Sequence, residues 1–135
     1  MKYNIKPSNF CEFCNMDTER LKHLFWECTH TQHFWTRISN YFKDINLNLN
    51  LNYQTIALGI AQTTSIIDKK AIESIILFAK YYIYKKKCLS ELPVNTEFII
   101  ELQHNIELER IIAFKNDKLT IHENKWRTYI QNINT

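Results

Sequence analysis

One glycine and two prolines are spread over 135 residues. Sandwich and barrel folds need many turn residues with special backbone geometry, so this scarcity favours helices joined by short connections. No uninterrupted apolar run reaches the roughly 18 residues that a membrane-spanning helix needs. Residues 1–10 lack the apolar stretch of a secretory signal. Common catalytic signatures are missing too: there is no Gly-rich phosphate loop, no G-x-S-x-G, no H-E-x-x-H and no Y-x-D-D. Asp17, Asp44, Asp68 and Asp117 are scattered and read as caps or turn residues. The expectation is a protein that is not an enzyme by itself, takes no small-molecule substrate and does not enter a membrane.

What is present describes a folded domain. Hydrophobic residues make up 45% and charged residues 23%, the balance of a packed core and not of a disordered tail. The length allows one core. Asparagine is so abundant that single asparagines carry little weight at this level. A net charge of +3 is too small to identify a nucleic-acid partner, but its distribution is uneven. Residues 51–90 hold six Lys/Arg against two Asp/Glu, so the middle of the chain carries the positive field.

Three of the four cysteines lie in one short array, Cys11-Glu12-Phe13-Cys14 followed by His23 and Cys28. C-x-x-C spacing lets a tight turn aim two thiolates at one metal, and His23 and Cys28 can complete a tetrahedron. Thiolate and imidazole ligands suit zinc, and four of them leave no open position for water, which marks a structural site and argues against a zinc enzyme. His30 and His33 lie close enough in sequence to replace His23, or to serve as the hydrogen-bond partner of a ligating imidazole. Zinc thiolates and a free Cys88 both call for a reducing compartment, the cytosol or nucleus.

Periodicity then places the helices. Residues 1–10 read as extended. Asp17 or Thr18 caps a helix over 19–28, on which Leu21, Leu24, Phe25 and Cys28 share one side. His23 and Cys28 are five apart, so this helix must bend near Cys28 for both to reach one ion. Thr29 or Thr31 caps a second helix running to Phe42, with Phe34, Trp35, Ile38, Tyr41 and Phe42 as its apolar stripe. At that spacing these aromatics and Trp26 read as core more readily than as a stacking platform for bases. Residues 45–52 alternate Ile or Leu with Asn, yet a lone asparagine-faced strand has no partner, so the segment reads as an extended linker. A helical turn over 54–60 ends at Gly59.

The strongest helix spans 65–89, with Ile72, Ile75, Ile76, Ala79, Tyr82 and Ile83 as its stripe. Asn95 or Thr96 caps the next, which runs to Phe114 with Phe98, Ile99, Leu102, Ile106, Ile112 and Ala113 inward and Glu97, Glu101, Glu107 and Glu109 making it acidic. A last helix over 118–130 uses Leu119, Trp126, Tyr129 and Ile130. His104 and His122 are isolated and read as solvated or core-edge. The fold class is all-α: a single domain with a zinc finger and flanking helices over 1–44, a linker over 45–64, and a helical bundle over 65–135.

Near the end of the strongest helix, Lys80, Lys85, Lys86 and Lys87 alternate with Tyr81, Tyr82 and Tyr84. Lysines there can contact phosphates and release counterions while tyrosines touch sugar or base. They can equally complement the helix dipole on a solvated face. Lys80, Tyr84, Lys85, Lys86 and Lys87 are therefore the candidate nucleic-acid-binding residues.

The run Cys11-Glu-Phe-Cys14, Glu19, His23-Leu-Phe-Trp-Glu-Cys28 and Phe34-Trp35 resembles the zinc-binding C-terminal domain of non-LTR (LINE-type) retrotransposon reverse transcriptases. Leu58-Gly59, the stretch from Tyr81 to Lys85 with Cys88, the stretch from Ile112 to Leu119, and Trp126 extend the resemblance over most of the chain. It implies Cys11, Cys14, His23 and Cys28 as zinc ligands. It also implies a role beside a polymerase, gripping RNA or DNA. Endonuclease and polymerase regions are missing from these residues, so the expectation is a fragment of such an element or a small protein derived from one. Polymerase chemistry does not transfer. The resulting expectation is a zinc-stabilised nucleic-acid-binding accessory domain; the alternative is a structural or protein-interaction module that docks on a polymerase or other partner.

Overall fold

The computed structural model describes residues 11–15, 20–62 and 66–133. The proposed caps Asp17 and Thr18, the extended reading of 1–10 and the Ser65 helix start lie outside them. Among the described residues the chain is all-helical, with no strand. A π-helical turn over His23–Glu27 leads into α1 (Thr29–Asp44), followed by α2 (Tyr53–Leu58), α3 (Ile66–Cys88), α4 (Asn95–Lys115), α5 (Leu119–Lys125) and α6 (Arg127–Ile133). No helix is long and apolar enough to cross a membrane.

One core joins these elements. Phe34, Trp35, Ile38 and Phe42 of α1 pack with Ile72, Ile75, Ile76, Ala79, Tyr82 and Ile83 of α3 and with Phe98 and Leu102 of α4. Phe34 sits at the junction, its ring centroid 5.5 Å from both Tyr82 and Phe98. The aromatic stripe expected on α1 is therefore core: Phe34, Trp35 and Phe42 are buried and Tyr41 packs against them. Residues 45–52 contribute to the same core. Leu47 and Leu49 are fully buried while Asn48 and Asn50 face water, so the alternation is real but is read out by packing and not by a sheet.

A chain with one glycine must still end its helices. A helix terminus commonly needs one residue in the left-handed region, usually glycine. Only α2 uses glycine, Gly59 at φ +68°. The three long helices use Asn46 (φ +68°), Ser90 (φ +54°) and Asp117 (φ +59°). At each end the next amide reaches back five residues: Leu47 to the Phe42 carbonyl, Glu91 to that of Lys86, Lys118 to that of Ala113. Asparagine matters at other places as well. Asn15 and Asn50 also have positive φ, and Asn52 caps α2 by a reciprocal exchange with Thr55.

Several local expectations change. Neither Asn95 nor Thr96 caps α4; Val94 is the residue before it, with no side-chain cap. Ile112 is exposed, and the buried stripe of α4 stops at Ile106. The last helix is two, broken at Trp126 (φ −102°, ψ 19°), whose indole is fully buried. His122 is not isolated but buried, with Nδ1 2.8 Å from Glu109 Oε2.

Candidate metal centre

The turn 11–15 is closed by the Asn15 amide donating to the Cys11 carbonyl at 3.0 Å, with Asn15 itself left-handed. Asparagine tolerates that conformation better than most residues. The turn buries Phe13 and Cys11, and its Glu12 accepts a hydrogen bond from the Ser90 hydroxyl beyond α3 at 3.1 Å. The first ligand pair is thereby tied to the bundle.

The second pair is set by the π-turn. In an α-helix, residues five apart point in different directions, which is why the His23–Cys28 spacing demands a bend. The chain meets the demand by widening: the Cys28 amide donates to the His23 carbonyl at 2.8 Å, an i→i+5 bond of the kind that recurs at functional sites. His23, Leu24 and Cys28 are then all buried, and Leu21, expected inward, is exposed. Cys28 turns extended (φ −61°, ψ 133°) and stands at the N-terminus of α1.

Ending a helix this abruptly leaves carbonyls without helical partners. Side chains of α1 satisfy three in succession. Thr31 Oγ1 donates to the Leu24 carbonyl and Trp35 Nε1 to that of Phe25, each at 2.7 Å, and Gln32 Nε2 donates to that of Trp26. Thr31 is thus engaged by the π-turn and does not cap α1, and Thr29 makes no cap either.

Together these elements bring one ligand atom from each of Cys11, Cys14, His23 and Cys28 to within 4.8 Å of one another. Cys11 Sγ lies 3.9 Å from Cys28 Sγ, and Cys14 Sγ lies 3.4 Å from His23 Nε2. Sulfur atoms in a disulfide would be about 2 Å apart, and the cysteines are free. The edges of a zinc tetrahedron are about 3.8 Å between sulfurs and about 3.6 Å between sulfur and nitrogen, given bond lengths near 2.3 and 2.0 Å. Both distances match those edges. His30 and His33 stay outside this group; His33 is exposed on α1.

Electrostatics disfavour bare thiolates in this cluster. Burial pushes the Cys28 thiol up to about 12; the His30 and Thr31 amides at the start of α1 pull the other way, and Cys11 and Cys14 push it up further. Three clustered sulfurs cannot be thiolates together without positive charge among them. A divalent ion would supply it, releasing the thiol protons on binding.

No family model, curated protein or solved structure matches the chain.

The structure separates the five candidate nucleic-acid residues. Lys86 is 7% exposed and its ammonium pairs with Glu91 at 2.7 Å and Glu97 at 2.5 Å. Those contacts with Lys86, and then the Tyr82 hydroxyl, hold the Glu97 carboxyl below its usual value. Lys85 is bonded to both oxygens of Glu101 at 2.7 and 2.8 Å. Lys80, Tyr84 and Lys87 fall instead at i, i+4, i+7 along α3. Lys80 lies over the Phe25 ring at 5.9 Å and Lys87 over the Tyr84 ring at 5.3 Å. Three residues before Phe25, the exposed Lys22 side chain lies over Tyr53 of α2 at 4.8 Å and 3.8 Å from Glu27. Lys22 and Tyr53 were not found by sequence reasoning, since only packing brings the π-turn, α2 and α3 together.

Proposed function

We propose that Cys11, Cys14, His23 and Cys28 hold a structural zinc ion and that the domain so stabilised is a nucleic-acid-binding accessory domain without polymerase activity of its own. The observation that carries the metal assignment is the convergence of one ligand atom from each of the four residues within 4.8 Å, with the Cys11–Cys28 and Cys14–His23 separations at the edge lengths of a tetrahedron. Three sulfurs favour zinc over oxygen-seeking Mg²⁺ or Ca²⁺, and four protein ligands close the shell, so its contribution is to fold and not to catalysis. The resemblance to LINE-type reverse transcriptase C-terminal domains supports the nucleic-acid reading. So does the face formed by Lys22, Lys80, Tyr84 and Lys87, where lysines alternate with aromatic rings. Lys85 and Lys86 contribute less, because Lys86 is buried and both ammonium groups are held at close range by glutamates of or beside α4. A cytosolic or nuclear setting suits the thiolate site.

A salt titration of binding to single-stranded RNA and to duplex DNA tests this. Affinity should fall steeply with salt, and K80E/K87E should flatten the slope by about one per lost phosphate contact. Binding no tighter than that of an unrelated protein of equal charge sinks the nucleic-acid reading while leaving the metal assignment to its own test, metal analysis of the purified protein. The second reading, a protein-interaction module, is favoured by Leu77, Tyr81, Ile100, Leu108, Ile112 and Phe114, large apolar side chains exposed on the outer faces of α3 and α4.

A further inference from the structure

Away from the metal centre, the first turns of α3 and the helix α5 form the walls of a groove, with the start of α6 at one end. Its cavity is about 400 Å³. Its apolar lining is Ile66, Ile67 and Ile121, exposed by 89%, 54% and 62%, and its charged lining is Lys70, Lys125 and Arg127. No carboxylate lines it. Lys125 is bonded to Glu109 at 3.1 Å, whereas among the described residues neither Lys70 nor Arg127 has an ion pair; the Arg127 guanidinium meets only the Asn124 side-chain oxygen, at 2.6 Å. This contrasts with Lys85, Lys86 and Arg110, each of which has a glutamate partner.

We propose that this groove docks an amphipathic helix of a partner protein, with its apolar residues between the three isoleucines and its carboxylates on Lys70 and Arg127. The walls are two helices and no sheet edge borders them among the described residues, so a helix in a groove is the recognition mode that fits and strand addition is not. Charge complementarity selects the sign of the occupant: a basic helix would bring like charges against two cations that have no carboxylate of their own. A phosphate backbone would satisfy the cations but leave the isoleucines without apolar partners.

The test uses the zinc-loaded full chain and a labelled helical peptide with leucines at i, i+4 and i+7 flanked by glutamates, beside the same peptide with lysines for glutamates. The acidic peptide should bind, and both I121S and K70E/R127E should weaken it about tenfold or more. K70E/R127E should also gain affinity for the lysine peptide. All three side chains lie at the surface, so unchanged melting of the variants checks that the fold is kept. Equal binding of the two peptides overturns the proposal. So does occupation of the groove by something else: RNA or anionic vesicles whose binding is sensitive to I121S, or concentration-dependent self-association that I121S abolishes.

Discussion

Replacing Cys14 with serine removes one proposed ligand with almost no change in volume, so any loss is a loss of the ligand and not of packing. The residues at 11–15 show why the loss should be large locally. Ordering five backbones costs about 5–10 kcal/mol at 1–2 kcal/mol each. Against this stand the burial of Phe13, worth about 1.5–3 kcal/mol, and two hydrogen bonds, Asn15 to Cys11 and Ser90 to Glu12, worth about 1 kcal/mol each. These leave a deficit of roughly 0–6.5 kcal/mol on the same figures. A structural zinc ion, on the order of 10–16 kcal/mol in small sites, covers it easily. The body is different: Phe34, Ile38, Ile75, Tyr82, Phe98 and Leu102 come from α1, α3 and α4, which share one core and pack on one another. Cys14→Ser, or excess chelator, should therefore release 11–15 and the π-turn while α1, α3 and α4 keep most of their helicity. Amide hydrogen exchange resolved by segment is the assay, with melting alongside. Undiminished protection of the Asn15 and Cys28 amides, and melting unaltered by chelator, would refute both the metal assignment and the energy comparison.

Other consequences are independent of the metal. Lys86→Ala should destabilise the fold by about 1.5–3 kcal/mol, since two glutamates lose a charged donor, yet leave the salt dependence of RNA binding unchanged; Lys87→Ala should flatten that salt dependence, and denaturant melts run beside titrations separate the two effects. At Glu109 burial pushes the carboxyl up, but the Trp126 indole and Lys125 outweigh it and the net shift is downward from 4.5. Its stabilising contribution is therefore present above about pH 4.5 and lost as pH falls through the lower folded value, so the stability gap between wild type and Glu109→Gln should be constant near neutrality and close in acid; a gap that widens in acid contradicts this sign. Trp35→Phe keeps an aromatic ring but loses the indole N–H and part of a buried side chain's volume, stranding the Phe25 carbonyl, and a cost of at least about 1–3 kcal/mol is expected in urea melts. Asp117→Gly should raise the melting temperature, because glycine takes φ +59° without the side-chain penalty, worth about 0.5–1 kcal/mol.

Residue types and local spacing made much of this protein legible. The Cys/His cluster was readable because C-x2-C and the His23–Cys28 pair are short-range features, and a metal's preference for sulfur and nitrogen does not depend on the fold. The five-residue step already required a departure from α-helical winding at Cys28. The stripes of α1 and α3 were readable because burial on one face of a helix leaves a period in the chain, and one glycine in 135 residues excluded turn-rich folds.

Tertiary structure decided what depends on partners far away in the chain. Which lysines α4 captures could not be read from Lys80 to Lys87: Lys86 is buried with Glu97 of α4 and Glu91 against it, and Glu101 of α4 captures Lys85. The Glu109 cluster joins residues 13 to 17 positions apart through the return of α5 against α4. Alternation in 45–52 resembled a strand, but a strand is defined by its neighbour, and here the neighbour is the helical core that takes Leu47 and Leu49. The left-handed roles of Asn46, Ser90 and Asp117 follow from where each helix must stop to pack, a constraint set by the bundle and not by any residue alone.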